Sequence, residues 1–138
     1  MAGKFITIAA KGGGKFRAYV ATPPGGKGPG LLLLQEIFGI NAHVRELADR
    51  YAEEGYLCVA PDLFWRMKPG VDLGYSEADF KQAFDYYQRF DVDLAITDVA
   101  ILSEWSSRSY SGNHCSYLTG VPVATRRTRV FTSSSSSL

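Results

Sequence analysis

Four consecutive leucines, Leu31–Leu34, constrain this chain more than any other feature. A strand with one wet face alternates apolar and polar residues. An unbroken apolar run marks a strand covered on both faces, as in a parallel sheet between helices. The residues after the run agree. Val44, Leu47, Ala48, Tyr51 and Ala52 fall at i, i+3, i+4, i+7 and i+8, one face of a helix. Asn41 stands where it can cap the helix start, and Gly55 where it can end it. Tyr56–Ala60 is a second apolar run, stopped by Pro61-Asp62. Strand, helix and strand in this span predict a βαβ unit with two neighbouring parallel strands.

Flanking segments extend the pattern. Lys4–Ala9 and Phe16–Ala21 read as a hairpin turned by Lys11-Gly12-Gly13-Gly14. Thr22–Gly30 is a Pro/Gly-rich loop. Ser76-Glu77-Ala78-Asp79 resembles a capping box, and Phe80, Ala83, Phe84 and Tyr87 continue it as one apolar helical face. A third helix is expected from Val92 to Leu102, with Ile96, Val99 and Ala100 facing inward. The expected fold class is α/β: an antiparallel hairpin leading into a mostly parallel sheet flanked by helices.

After Leu102 the periodicity stops. The remainder is serine-rich, carries Arg126, Arg127 and Arg129 close together, and includes the homopolymer Ser133–Ser137. Low complexity without an apolar period predicts poor order. The chain therefore divides into a partial domain, residues 1–102, and a divergent tail, residues 103–138. Within the tail, Gly120–Ala124 is the one short piece of strand-like composition.

Charge and composition exclude several functions. The net charge is +1, giving no electrostatic reason to expect a nucleic acid or an anionic membrane partner. No apolar run approaches the length of a membrane span, and Met1–Phe5 lacks the apolar core of a signal peptide. Two cysteines, Cys58 and Cys115, make no disulfide framework, so a reducing cytoplasmic setting is expected.

The stretch QEIFGINAHVRELADRYAEEGYLCVAPDLFWR, with YYQRFDVD at residues 86–93, resembles the dienelactone hydrolase family (carboxymethylenebutenolidases) of the α/β-hydrolases. Gln35–Gly39, Asn41, Gly55-Tyr56 and Ala60–Leu63 carry the resemblance, which covers about residues 4 to 100. It implies a hydrolase of small esters or lactones, a carboxylesterase chemistry driven by a cysteine thiolate. Glu36 matches the carboxylate that controls that thiol, and the Ile37 backbone N–H matches an oxyanion donor. Phe38, Lys81 and Phe84 match positions around the substrate. No metal or organic cofactor is implied.

The departures from the family pattern are as informative as the matches. The family nucleophile lies in Gly-x-Cys-x-Gly, a sharp turn that exposes the side chain. No such motif occurs here: Cys115, in Asn113-His114-Cys115-Ser116-Tyr117, has no glycine two residues to either side. The family's triad Asp and His would lie beyond residue 138, and a substrate-contacting arginine falls at Phe80. The tail stands where the catalytic half would be, as a shifted or alternative reading frame would produce. The expectation is a truncated, inactive chain with an incomplete sheet. Its Leu31–Leu34 strand would keep an unpaired apolar edge open to self-association.

Plainer roles suit other candidates. Cys58 reads as a small buried strand residue. His114 is no base for Cys115 by mere adjacency, and the two lack further ligands at zinc-like spacing. His43 reads as a surface or rim residue, and the tail arginines as solvated. Two alternatives to an enzyme stay open: a non-catalytic half-domain that binds or regulates, and a product without its own function.

Overall fold

The computed structural model describes residues 3–109 and 115–119. Five strands and three helices run in the order β1 (Lys4–Ala9), β2 (Lys15–Ala21), β3 (Gly30–Leu34), α1 (Ala42–Glu53), β4 (Leu57–Pro61), α2 (Glu77–Arg89), α3 (Val92–Ser109) and β5 (Cys115–Thr119). They form one sheet of order β1-β2-β4-β3-β5. The β1–β2 hairpin is antiparallel, β2 meets β4 antiparallel, and β3 pairs in parallel with β4 and with β5.

The leucine run behaves as its composition demands. Successive strand side chains point to opposite faces. Leu31 and Leu33 pack with Val44, Ala48 and Ala52 of α1, while Leu32 packs with Val59 and Leu102 on the α3 face. One strand thus feeds two cores, and Leu31, Leu32 and Leu33 sit where a polar side chain would be buried. Helix α1 starts where Asn41 Oδ1 accepts the Val44 N–H at 3.2 Å, and α2 where Ser76 Oγ accepts the Asp79 N–H at 3.1 Å.

Three expectations are corrected. First, Ile96 and Ala100 do not face inward. Helix α3 buries Ala95, Asp98 and Leu102, whereas Ile96 is 61% exposed. Asp98 occupies the centre of the buried stripe, which shifts the face by one residue from its apolar reading. Second, α3 runs past Leu102 to Ser109, so the composition change at residue 103 falls inside a helix. Third, the Leu31–Leu34 edge is paired: β5 lies against it, with Leu32 opposite Tyr117. Among the described residues the open edge on that side belongs to β5. His114, Gly120–Ala124 and Arg126–Arg129 lie outside the described residues.

The apolar face expected on α2 is also divided. Ala83 and Tyr86 are buried, while Phe80, Phe84 and Tyr87 stand 52%, 45% and 44% exposed.

Candidate active site

Three segments converge at the carboxyl ends of β3 and β4. The first is the turn that ends β3. The Gly39 N–H donates to the Glu36 carbonyl at 3.2 Å, which places Ile37 and Phe38 at the corners. Gly39 holds φ +80°, and an added Cβ would run into the Val71 carbonyl oxygen. Only glycine meets both demands. Because this bond closes over the corner, the Ile37 N–H has no hydrogen-bond acceptor among the described residues.

The second segment comes after β4. Gln35 is buried, and its Oε1 accepts the Leu63 N–H at 2.8 Å while its Nε2 donates to the Glu36 carbonyl at 3.3 Å. One side chain therefore ties the two strand ends together. Asp62 orders the same loop, accepting from Phe64 N–H at 3.2 Å and Gly70 N–H at 2.8 Å. Burial pushes its pKa up, outweighing these hydrogen bonds and Arg17, which act in the opposite direction.

The third is the α2–α3 corner. Asp91 accepts the Leu94 N–H at 3.1 Å and starts α3. The helix is locked by Asp98, fully buried, which takes a two-pronged bond from Arg66 at 2.7 and 3.0 Å and the Trp65 indole N–H at 3.0 Å. Trp65 stacks on Phe16, with ring centroids 5.9 Å apart, and Arg66 lies over the Trp65 ring. Loop and helix are thereby fixed to each other across the sheet face.

Between the three lies a cavity of about 340 Å³. Glu36 and Ile37 line it together with Leu34, Gln35, Leu63 and Phe64 from the strand ends, and Tyr87, Phe90, Val92, Ala95, Ile96 and Val99 from the helical corner. Glu36 is half-buried, and its carboxylate makes no hydrogen bond or ion pair among the described residues. The Glu36 carboxylate and the Ile37 N–H are thus unengaged, on two neighbouring residues that line an almost wholly apolar wall. This is the place where open α/β sheets bind ligands.

The expected site residues separate. Glu36 and Ile37 share the cavity; Phe38, Lys81 and Phe84 do not line it. Phe38 packs edge-on against Tyr75 at 4.8 Å and begins an aromatic row through Phe80 and Phe84 to Tyr87, whose ring reaches the wall. Lys81 is exposed. Cys58 lies buried under α1, where burial, assisted by Asp49, pushes its thiol pKa up to about 12. A thiol so disfavoured as thiolate makes a poor nucleophile. Among the described residues no group of three His, Cys, Asp or Glu side chains is placed to hold a metal, and no helix is long and apolar enough to cross a membrane.

Two site features escaped the sequence. Gln35 entered only as the first residue of the family stretch Gln35–Gly39, with no role attached, and the Arg66–Asp98 lock joins positions too far apart for any local pattern to connect. The single available signal was Asp98 itself, an acidic residue amid the aliphatic run Ala95, Ile96, Val99, Ile101 and Leu102.

Comparison with known proteins agrees with this geometry. The profile of the dienelactone hydrolase family matches residues 16–121. A candidate carboxymethylenebutenolidase of Azospirillum brasilense is 46% identical over 90 residues, 64% of this chain and 39% of that protein. Carboxymethylenebutenolidase 1 of Cupriavidus pinatubonensis is 31% identical over 102 residues, 73% of this chain and 44% of the enzyme. The crystal structure of a candidate dienelactone hydrolase from Klebsiella pneumoniae superposes with a TM-score of 0.65 at 25% identity, covering 84% of this chain and 50% of the other. The chain thus spans half or less of the length of these relatives. With its βαβ unit, its strand-end cavity and a family match over most of its length, the chain belongs to the dienelactone hydrolase family.

Proposed function

We propose that this chain carries the acyl-binding half of an ester or lactone hydrolase site. One observation supports it most: Glu36 and Ile37 meet at the cavity beyond β3, with the carboxylate and the N–H both unengaged among the described residues. A carbonyl seated there would have the Ile37 N–H for its oxygen. Such a donor gains strength as the carbonyl oxygen becomes an oxyanion. In the complete family reaction a cysteine thiolate adds to the carbonyl carbon. The tetrahedral intermediate then expels the alkoxide or ring oxygen, and water releases the acid from the acyl-enzyme. Glu36 would govern the charge state of that thiol from the cavity wall.

These 138 residues hold no Gly-x-Cys-x-Gly elbow to present such a thiol. The reading is therefore that the chain binds the carbonyl but does not turn it over. Assay against aryl esters and a dienelactone tests it, with hydrolysis at the background rate as the expected result. Joining a family segment with the elbow, Asp and His after Leu102 should restore turnover, and Glu36→Ala in that protein should then impair it. Turnover by the unmodified chain that Cys115→Ser abolishes would overturn the reading. So would full activity of the restored Glu36→Ala protein.

A further inference from the structure

We propose that Arg66 and Asp98 are positioning residues for the cavity: their ion pair selects the rotational setting in which α3 presents its wall. The inference rests on the ester-site reading above. The sequence of α3 does not choose a setting by hydrophobicity. Of residues 92–102 only Asp93, Thr97 and Asp98 are polar, so apolar side chains stand almost all round this part of the helix. Apolar contact is non-directional, and such a helix has more than one face that could seat on the sheet. Its periodicity favours Ile96, Val99 and Ala100 inward. The folded chain instead leaves Ile96 and Ala100 exposed and buries Ala95, Asp98 and Leu102.

Asp98 breaks the tie. It is fully buried, and in this setting it accepts from the Arg66 guanidinium at 2.7 and 3.0 Å and from the Trp65 indole N–H at 3.0 Å. A two-pronged bond fixes angle as well as distance. Any other rotation of α3 would carry the carboxylate off that fork and separate the pair. Neither Arg66 nor Asp98 lines the cavity, yet the residues beside them do. Leu63 and Phe64, just before Trp65, line it from the loop after β4; Ala95, Ile96 and Val99, around Asp98, line it from α3. Phe64 is itself seated against Tyr86 and Phe90, with ring centroids 5.6 and 5.4 Å apart. The loop is thus held, and α3 is set against it by the ion pair.

Phenyl acetate titrated into the full chain, followed by NMR, tests this in the unmodified protein, in Arg66→Lys and in Arg66→Met/Asp98→Leu. The double variant replaces a buried pair with apolar groups, so it keeps much of its stability while losing the bond that set the helix. Its Ala95, Ile96 and Val99 methyl groups should give multiple or exchange-broadened peaks. Its affinity for phenyl acetate should fall about tenfold, as when about a tenth of the molecules hold the binding setting. Arg66→Lys keeps a counter-ion for Asp98 but not the fork, and should fall between the two; it carries the test alone if the double variant does not fold. A purely structural pair predicts that affinity follows stability. A double variant with recovered stability, single methyl peaks and unmodified affinity would therefore overturn the positioning role, as would the same behaviour in Arg66→Lys. If phenyl acetate shifts no cavity residue of the unmodified chain, the ester-site reading falls, and the peak numbers still decide whether the pair sets α3.

Discussion

Gln35 Oε1 accepts the Leu63 N–H at 2.8 Å, joining the residue after β3 to the second residue after β4. Both groups are buried, so neither can turn to water if the other is removed. Gln35→Leu should cost about 1–3 kcal/mol, the desolvation penalty of the orphaned N–H. Gln35→Glu keeps an acceptor in place and should cost less at acid pH than at neutral pH, where the added carboxylate is charged and buried. Urea titration of the three proteins at pH 5 and pH 8 measures both effects.

The Arg66–Asp98 pair makes an asymmetric prediction. Asp98 is fully buried, while the Arg66 side chain retains 29% exposure. Arg66→Met leaves a buried carboxylate with only the Trp65 indole to satisfy it. About 3–5 kcal/mol of destabilisation is expected. Adding Asp98→Leu to that variant should recover much of the loss, since replacing a whole buried pair with apolar groups is often neutral. Thermal melts of the single and double variants decide this. A double variant no better than the single one would show that Asp98 holds α3 by shape as well as by charge.

How much of this arrangement the sequence disclosed depends on how local each signal is. The βαβ unit was legible because Leu31–Leu34, the α1 stripe and Leu57–Ala60 are each continuous or strictly periodic. The Asn41 and Ser76 caps were legible because a cap acts within three residues. Helix α3 was misphased because Asp98 stands in its buried stripe, and the arginine that neutralises it lies 32 residues earlier. Strand β5 was missed because Cys115–Thr119 mixes polar and apolar residues without alternation, and its pairing with β3 is non-local. At the site, Glu36 and Ile37 came from the family pattern; the wall that Val92, Ala95 and Ile96 supply came only from the fold.

Asp62 gives a pH prediction whose sign is opposite to that of most carboxylates. Its folded pKa is raised above the ordinary value of 3.8 because burial disfavours the charge. The folded state then holds this proton more tightly than the unfolded state. The contribution to stability is full below 3.8, falls as pH rises, and is lost once pH passes the raised folded value. Asp62→Asn removes that slope. The stability difference between the two proteins should therefore shift in favour of the variant as pH rises through this window. Denaturant titrations at half-unit pH intervals from 3.5 to about 7 would show it. A difference that stays flat with pH would mean that Phe64 and Gly70 hold the charge well enough to offset burial.

Cys58 should be inert until the chain unfolds. Its thiol is buried and its pKa lies at about 12, so almost none is thiolate at pH 8. In a Cys115→Ser background, reaction with a thiol-specific disulfide reagent should be negligible in native buffer and complete in urea. The midpoint of reactivity should coincide with the midpoint of unfolding. Fast native labelling would mean that α1 opens locally over the sheet.

Glu36 supplies the sharpest contrast with its neighbour. Gln35 and Glu36 are adjacent and polar, yet one is buried with both ends of its amide engaged, and the other is half-buried with a free carboxylate. A group without partners has little to lose when removed. Glu36→Ala and Glu36→Gln should each change stability by no more than about 0.5 kcal/mol, the range for substitutions that break no packing or network. A substitution that cheap would put the reason for an acid group here outside the fold, as at sites where function conflicts with packing. Pairing the measurements makes the inference strict. If Gln35→Leu destabilises and Glu36→Ala does not, while Glu36→Ala impairs turnover in the restored protein, then Gln35 positions the turn and Glu36 acts from it. If Glu36→Ala costs stability on the scale of Gln35→Leu, the carboxylate serves the fold, and its place in the cavity is incidental.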